Sequence, residues 1–461
     1  MPWRRRRGGS INRSIHFGRS LPRLPKLLRF PLFATLSQLL RDRLRPLQPR
    51  GALRRDLWAS AADAAAFSVM VGCGETYIPA FALAVGLGPV AVGMLASVPV
   101  LVGALMQLIT PLAVARLGTN RGWCVACTTV QALSFVPFVA WAIRGHADLW
   151  ELLLAASIYW SAGMAGGPAW NTWIGTLVPE RMRTAFFAHR NRLGQFGVFV
   201  GFVAGGIALQ VGEAHGMTLL TFAAIFAVAG ICRLVSTLML ASCREMQPPE
   251  RSAVNGTAPI VDRVRKAIGT IATTPSGRLV AYTCALSFSA HVSASYFTPY
   301  MLRELGFSYH AFMLVIATQF LAKAIALPWL GRLGSRIGSL GLLHLGGLSV
   351  VPLTTLWLVS ANVWFLMGVQ FVAGFCWAAY ELALALLFFD AVPHRDRTAV
   401  VTAYNLCTAV ATVAGAATGG LLLKALGEDH TAYLALFVIS SLLRCATIPL
   451  LRRVRVLTAH S

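Results

Sequence analysis

The sequence predicts an all-α integral membrane protein with twelve transmembrane helices in two pseudo-symmetric six-helix bundles. Three observations predict this fold class: the composition, the long apolar runs, and pairs of similar basic segments about half a chain apart. Of the 461 residues, 56% are hydrophobic and 12% are charged, whereas soluble domains carry roughly 25% charged residues. Too few charged side chains are present to cover a soluble protein, so the chain falls in the membrane class.

Twelve apolar runs are long enough to cross a bilayer, which takes about 20 largely apolar residues in a helix. Glycine and proline punctuate these runs, as is typical of membrane-spanning helices. Numbered as spans 1 to 12, they cover 57–84, 90–113, 122–143, 149–173, 189–211, 217–241, 279–302, 309–331, 338–360, 362–389, 399–424 and 431–451.

The distribution of lysine and arginine predicts the orientation of the spans. With the N-terminus placed inside, 34 of the 40 basic residues fall in inner loops and tails, and Arg144, Arg303 and Lys424 fall outside. Cytoplasmic loops carry the excess of basic residues, so we expect both termini in the cytoplasm and contact with an anionic inner leaflet. The richness in alanine, arginine, glycine and leucine is typical of a bacterial genome rich in G and C, which places this multi-pass protein in the inner (cell) membrane.

The spans divide the chain into five segments. These are a basic cytoplasmic N-terminal tail at 1–55, an N-terminal six-helix bundle at 56–241, a cytoplasmic linker at 242–278, a C-terminal six-helix bundle at 279–455 and a short tail at 456–461. Because the basic tail adjoins a span, we expect it to contact anionic lipid rather than nucleic acid. A surface-lying amphipathic helix is predicted near residues 31–45.

Two pairs of similar segments indicate an internal duplication. VPERMRTAFFAHRN at 178–191 and VPHRDRTAVVTAYN at 392–405 share seven residues, and they precede spans 5 and 11. ARLGTNRG at 115–122 and GRLGSRIG at 331–338 follow spans 2 and 8. Because the matches occur in order at nearly one offset, a six-span unit has been copied.

A chain with two similar six-span halves resembles the major facilitator superfamily of secondary transporters, whose halves are related as parallel repeats. ARLGTNRG and GRLGSRIG are similar to that family's signature turn between its second and third helices. The family's acidic position holds Thr119 in the first copy and Ser335 in the second. A hydroxyl lacks the charge of the family's latch between the halves, but it can cap the next helix.

The resemblance implies that the basic loops are the moving contact between the halves during alternating access. The alternative is that they serve only topology and hinge geometry. The candidate loop residues are Arg116, Gly118, Arg121, Gly122, Arg181, Arg183, Arg332, Gly334, Arg336, Gly338, Arg395 and Arg397.

Polar and aromatic residues within the spans predict a substrate or proton pathway, since an ionisable group at membrane depth usually faces a cavity or a partner. Glu75 leads this set as a proton or substrate-cation site, because small residues precede it and Pro79 follows it; the alternative is a polar cap near the outer surface. The candidates are Glu75, Tyr77, Gln107, Trp170, Asn171, His291, Tyr296, Gln319, Lys323, Trp377, Tyr380 and Glu381.

The other charged residues in the spans have simpler expected roles. Lys323 and Glu381 lie at equal depth from the ends of their spans, which permits an ion pair. Arg233 and Arg444 are expected to snorkel toward the inner surface. Asp63 is expected to pair with Arg54 or Arg55.

The resemblance implies a secondary active transporter of a small organic solute, driven by protons through Glu75 and working as a monomer. The sequence carries no GxxxxGK[ST] or HExxH motif and no paired CxxC, so no cofactor, nucleotide or metal is expected, and the chain is not expected to be an enzyme. The alternatives are a non-transporting relative that acts as a sensor or assembly factor, and a membrane-embedded lipid-modifying enzyme.

Overall fold

The computed structural model describes residues 51–245, 269, 275–391 and 397–454, and every regular element in these ranges is helical. The surface helix predicted near 31–45, most of the linker 242–278 and the tail 456–461 lie outside the described residues.

The helices follow the predicted spans, with several longer than the apolar runs. Those of spans 1 to 6 are Gly51–Cys73, Ile78–Ala84, Pro89–Met106, Thr110–Leu117, Asn120–Leu133, Phe135–Arg144, Leu149–Leu177, Glu180–Ala214 and Thr218–Ser242. Those of spans 7 to 12 are Pro275–Ala294, Phe297–Pro299, Tyr300–Glu304, Tyr309–Ser349, Thr355–Leu358, Val363–Ala391, Arg397–Leu426, His430–Ala446 and Ile448–Arg453.

Nine stretches of the described residues are long and apolar enough to cross a membrane. One of them, Tyr309–Ser349, covers span 8 and the first part of span 9. Gly338 within it has φ 75° and ψ 168°, and it breaks the helical path between the two spans. The helices Leu149–Leu177 and Pro275–Ala294 of spans 4 and 7 lie in addition to these nine. Together they account for the twelve predicted spans.

Several of the spans are broken near a proline, which lacks a backbone donor, and spans 1, 2 and 7 are examples. Span 1 passes through a 3₁₀ turn, Glu75–Tyr77, just before Pro79. Span 2 does the same at Gln107–Ile109, just before Pro111. Span 7 passes through Pro299 into a π-helical turn, Tyr300–Glu304. Because proline cannot donate the usual helical hydrogen bond, each break turns the side chains beside it in a direction that a straight helix would not give.

The two halves repeat one mode of close helix packing. In the first half, a Cβ added at Gly72 or Gly201 would collide with the carbonyl oxygens of Val198 and Val69, so spans 1 and 5 touch through their backbones. In the second half, Gly419 of span 11 lies against the carbonyl oxygen of Val292 in span 7. Small residues permit such close contact in membrane helices. The matching seams, 1 with 5 and 7 with 11, agree with the duplication.

The two halves meet at the end of the molecule that carries residues 85–88 and 305–308. Arg303 Nη2 donates to the Leu87 carbonyl at 2.8 Å, and the His310 amide donates to Gln210 Oε1 at 3.0 Å. Phe312 inserts its ring between these halves, with centroids 6.3 Å from Tyr77 and 5.9 Å from Phe202. We call this end the closed end.

Candidate functional site

A cavity of about 560 Å³ lies between the two halves. Its size falls in the range of ordinary small-molecule sites. Most of its wall is apolar and includes the rings of Trp160, Phe297, Phe312, Trp357 and Trp377. The polar side chains that line it are Glu75, Thr76, His291, Thr298, Gln319, Lys323, Thr354, Gln370 and Arg444.

Glu75 lies on the first half's side of the cavity because the 3₁₀ turn in span 1 directs it there. The Tyr159 hydroxyl of span 4 donates to Glu75 Oε2 at 2.6 Å, and the same hydroxyl lies 3.2 Å from Met70 Sδ. A carboxylate with one fixed donor and an open side toward a cavity can take up and release a proton. The sequence singled out Glu75 but not the Tyr159 hydroxyl bonded to it.

Lys323 and Glu381 form the predicted ion pair, with Nζ 2.6 Å from Oε1. The Lys323 side chain is 17% exposed and that of Glu381 is 51% exposed. The pair therefore lies partly open, and its attraction is weaker than that of a fully buried pair. Lys323 lines the cavity, so the pair borders the site on the second half's side.

Three other predicted residues line the cavity: His291, Gln319 and Trp377. His291 Nδ1 lies 2.8 Å from the Ser287 carbonyl oxygen. Because a carbonyl oxygen only accepts, Nδ1 carries the proton in the neutral ring, and Nε2 remains as an acceptor. Trp377 packs edge to face on Tyr380, with centroids 5.7 Å apart.

Three predicted tyrosines lie in packed interfaces rather than along the cavity. The Tyr77 hydroxyl donates to the Phe202 carbonyl at 2.7 Å, and the Tyr296 hydroxyl donates to that of Ala416 at 2.6 Å. Tyr380 is buried beside Tyr282, with centroids 6.4 Å apart. Each of the three is at most 6% exposed. They hold helices together, and none of them is among the cavity-lining residues.

The remaining predicted pathway residues also lie away from the cavity wall. Gln107 accepts a hydrogen bond from Asn405 Nδ2 at 3.3 Å, which joins spans 2 and 11 across the two halves. Trp170 lies under the Arg190 guanidinium, with the cation 4.2 Å from the ring centroid. Asn171 is exposed.

The expectation that Arg233 and Arg444 snorkel to the surface is wrong, since they are only 6% and 2% exposed. Arg233 donates to Gln131 Oε1 and to Ser236 Oγ, each at 2.8 Å. Ser236 in turn donates to Asp63 Oδ1 at 2.7 Å. Polar partners inside the bundle keep Arg233 from reaching outward.

Asp63 forms an ion pair with Arg190 of span 5, with Nη2 2.7 Å from Oδ2, rather than the expected pair with Arg54 or Arg55. The Asp63 side chain is 2% exposed. Asp63 therefore connects spans 1, 5 and 6 within the first half.

Arg444 of span 12 has a different environment. Its Nη1 donates to the Val350 carbonyl at 2.9 Å, and its Nη2 makes a long contact of 3.5 Å to Ser293 Oγ. Its Nε is buried without a partner. Among the described residues no carboxylate pairs with it. Arg444 is thus a buried cation that lines the cavity without an acid beside it.

The first basic loop forms the predicted tight turn. Gly118 ends the helix of span 2 with φ 69°, and Thr119 Oγ1 caps span 3 by accepting from the Gly122 amide at 3.1 Å. Glu245, just after span 6, accepts from the Thr119 hydroxyl and, at 2.8 Å, from the Asn120 amide. Glu245 thereby supplies, from another part of the chain, the carboxylate that the loop lacks. Sequence spacing alone gave no signal of this contact.

The rest of the loop set is more exposed. Arg121 donates to the Ala241 carbonyl, while Arg116, Arg332 and Arg336 are exposed. Ser335 does not cap the next helix: its hydroxyl donates to the Arg332 carbonyl at 2.7 Å, and the chain bends at Gly338 instead.

Most of the remaining loop candidates lie at or within helices. Gly334 is buried in the helix Tyr309–Ser349. Arg181 and Arg183 begin the helix Glu180–Ala214, and Arg397 begins the helix Arg397–Leu426. The side chains of these three arginines, and all of Arg395, lie outside the described residues.

A sequence model of the Major Facilitator Superfamily matches residues 64–301 and 279–458. The two matches cover more than half of the chain; the first runs from span 1 to span 7 and the second from span 7 to span 12. The chain belongs to the major facilitator superfamily. It is a multi-pass membrane protein, and no curated protein matches its sequence.

Solved structures of superfamily members share the fold. The nucleoside transporter NupG superposes with a TM-score of 0.61 at 11% identity, covering 87% of this chain and 99% of NupG. The xylose transporter XylE from E. coli gives 0.64 at 12% identity, covering 89% and 100%. A bacterial homolog of the human lysosomal transporter Spinster gives 0.61 at 14% identity, covering 88% and 95%. At these identities the likeness concerns the fold alone.

Proposed function

We propose that this superfamily member is a secondary active transporter that moves a small organic solute by alternating access, coupled to protons through Glu75. The observation that carries the proposal is the cavity between the halves, with Glu75 on its wall and Tyr159 bonded to the carboxylate. A proton carrier needs a group that can gain and lose a proton within the membrane. A carboxylate at membrane depth is costly unless it has a partner or faces a water-filled space, and Glu75 has Tyr159 as a partner and the cavity beside it.

We place the protein in the inner membrane with both termini in the cytoplasm, on the evidence of the basic inner loops. The closed end, with Leu87 and Arg303, then faces outward, and this conformation faces inward. The basic loops lie at the other end. Transport as a monomer is part of the proposal, because both halves of one chain supply the lining of the cavity.

The two basic loops are proposed as the parts that change contact when the halves rock. In the first, Glu245 joins the start of span 3 to the end of span 6, so the loop and the start of the linker move together. The Gln107–Asn405 hydrogen bond joins span 2 to span 11 across the two halves, and we assign it to the same transition.

The test is proton flux in liposomes that contain the purified protein and a pH-sensitive dye, during exposure to a panel of organic solutes. Solute-dependent flux in the wild type should fall at least about 100-fold in Glu75→Gln, because the carrier group is lost. Tyr159→Phe should lower it by about 10-fold, since one hydrogen bond to a charged group is worth roughly 1.5–3 kcal/mol. Asn171→Ala, which changes an exposed residue off the cavity, is the matched control.

Undiminished proton flux in Glu75→Gln would remove Glu75 from the mechanism. Saturable solute binding without any flux in the wild type would instead favour the non-transporting sensor.

A further inference from the structure

We propose that the transported solute is an organic anion with a ring-sized apolar body, and that Arg444 binds its anionic oxygen group. The proposal rests on the proposed function and specifies its substrate class. It starts from a cavity-lining group whose hydrogen bonds to the described residues are incomplete, the Arg444 guanidinium.

Arg444 and Arg233 differ in how many polar partners surround their guanidinium groups. They occupy corresponding places in spans 12 and 6. Arg233 has an amide, a hydroxyl and, through Ser236, the Asp63 carboxylate around it. Arg444 has a carbonyl and a distant hydroxyl, and its Nε has no partner. Arg233 is therefore a structural cation whose hydrogen bonds are satisfied, whereas Arg444 has donors left over that an anion could accept from.

The cost of burial strengthens this argument. A buried charge is unfavourable unless an opposite charge or a full set of hydrogen bonds compensates it. Arg444 is 2% exposed, and no described carboxylate forms an ion pair with it. A protein that maintains such a group at a cavity wall gains from it when a ligand supplies the missing charge.

The geometry of the free edge fits an anionic oxygen group. Nη1 already donates to Val350, whereas Nε is free and Nη2 is weakly engaged. Nε and Nη2 lie on one edge of the guanidinium plane, and two parallel donors on one edge match the two oxygens of a carboxylate or of a phosphate. Lys323 is the other cation on the cavity wall, but Glu381 already pairs with it.

The aromatic part of the cavity wall fits an apolar body. Phe297 and Trp357 line the cavity and pack on each other with centroids 4.6 Å apart. Trp160 and Trp377 line its other parts. A cavity of about 560 Å³ accepts a ring and its substituents. Apolar walls with one fixed ionic anchor are how small-molecule sites combine affinity with orientation.

The test uses the purified full chain in detergent at pH 7 and measures thermal stabilisation, since a ligand that binds the folded state raises the melting temperature. The probes are benzoate, its neutral isostere benzamide, and phenyl phosphate. We expect benzoate or phenyl phosphate to stabilise the wild type while benzamide at the same concentration does not. The relative strength of the two anions distinguishes a carboxylate substrate from a phosphate ester.

Arg444→Gln should weaken the anion's effect at least 10-fold and abolish its advantage over benzamide. Arg444→Lys keeps the charge but loses the paired donors, so it should retain a weakened preference for the anion; it carries the test if Arg444→Gln fails to fold. Arg144→Gln, which removes an exposed arginine that pairs with Glu151 and does not line the cavity, is the comparison and should preserve the preference for anions.

The proposal is overturned if neither anion outperforms benzamide in the wild type, or if the preference survives undiminished in Arg444→Gln. Proton flux distinguishes this failure from that of the proposed function. No anion preference together with flux that depends on Glu75 refutes the anion site alone. Anion binding at Arg444 without Glu75-dependent flux refutes proton coupling alone.

Discussion

Charged residues of this chain differ in how completely their neighbours neutralise them. Asp63 is almost fully buried, and Arg190 and Ser236 both contact its carboxylate. Arg144 and Glu151 form a pair at the surface, 51% and 33% exposed. One chain thus holds a buried and an exposed arginine–carboxylate pair, and the two pairs should contribute differently to the free energy of unfolding.

We expect Arg190→Gln to lower the free energy of unfolding by about 3 kcal/mol, because it leaves the Asp63 carboxylate buried without its cation. Arg144→Gln, which removes an exposed partner, should cost less than about 1 kcal/mol. The melting temperatures of the two purified variants, measured in one detergent, give the comparison. Equal losses would show that the Asp63 pair has no special weight.

Depth along a helix can be predicted from a sequence, but the direction of a side chain cannot. Equal depth predicted the Lys323–Glu381 pair, and the structure confirms it. Depth also made Arg444 look close enough to the inner surface to snorkel, and that expectation was wrong because Val350 and Ser293 hold the guanidinium inside. The bond from Tyr159 to Glu75 was missed for the same reason, since it depends on how spans 1 and 4 are rotated against each other.

Among the helices, the seams between spans 1 and 5 and between spans 7 and 11 leave no room for a side chain. At Gly419 a Cβ would meet the Val292 carbonyl oxygen. At Gly368, in span 10 of the same half, a Cβ would find nothing within 4 Å. These two helical glycines offer a matched pair for measuring what the seam contributes.

Gly419→Ala should lower the free energy of unfolding by about 1–3 kcal/mol, as overpacking does in a filled interior. Gly368→Ala should be neutral or stabilising by up to about 1 kcal/mol, because alanine favours a helix over glycine. Chemical or thermal unfolding in detergent tests both. A harmless alanine at Gly419 would contradict the backbone contact between spans 7 and 11.

The helix His430–Ala446 begins with a carboxylate cap. Asp429 accepts from the Ala432 amide at 2.8 Å and from the Thr431 hydroxyl at 2.9 Å. These bonds, the amide first, hold the pKa of Asp429 below its ordinary value of 3.8. A lowered pKa means that the charged cap stabilises the folded state above that ordinary value, and that this contribution disappears as pH falls through the folded-state pKa.

Asp429→Ala should therefore lower the melting temperature at pH 7, and the difference from the wild type should shrink as pH falls below about 4. Asp429→Asn keeps an acceptor but cannot titrate, so its own cap should lack this pH dependence. Melting curves between pH 7 and pH 3 measure the effect. A difference from the wild type that is constant across this range would contradict the role of the charge.

The helix boundaries show which features of an element can be predicted from the chain. Apolar runs located all twelve spans, but the helices of spans 5 and 11 begin earlier, at Glu180 and Arg397, since charged residues can continue a helix beyond the bilayer. The turn at Thr119 followed from its hydroxyl and the adjacent glycines. The carboxylate of Glu245 arrives from 126 residues away, so only the folded chain reveals it.

At the scale of the whole molecule, the two halves touch at the closed end, and a cavity lies between them. Gly206 of span 5 lies against the Met313 side chain of span 8 there. The duplicated sequence predicted two similar halves, and the two matches to the superfamily agree. It could not predict which end is closed, because one sequence is compatible with more than one arrangement of the two halves.

We expect Gly206→Val to separate the halves at the closed end, because its side chain would occupy the place of Met313. Spin labels on cysteines introduced at Gly88 and Glu304, exposed positions on opposite halves, should report a longer distance. Solute-dependent flux should fall by about 10-fold or more. Gly167→Val, at a helical glycine with nothing within 4 Å, is the control; an unchanged label distance in Gly206→Val would contradict the prediction.

The glycine seams also constrain how this protein can be altered. In a deep mutational scan, Gly72, Gly201 and Gly419 should tolerate almost no replacement, whereas Gly368 should accept many. Directed evolution toward a new solute should then select substitutions in the cavity wall and none at the glycines of the seams. The seams between spans 1 and 5 and between spans 7 and 11 would stay unchanged while the residues of the cavity wall varied.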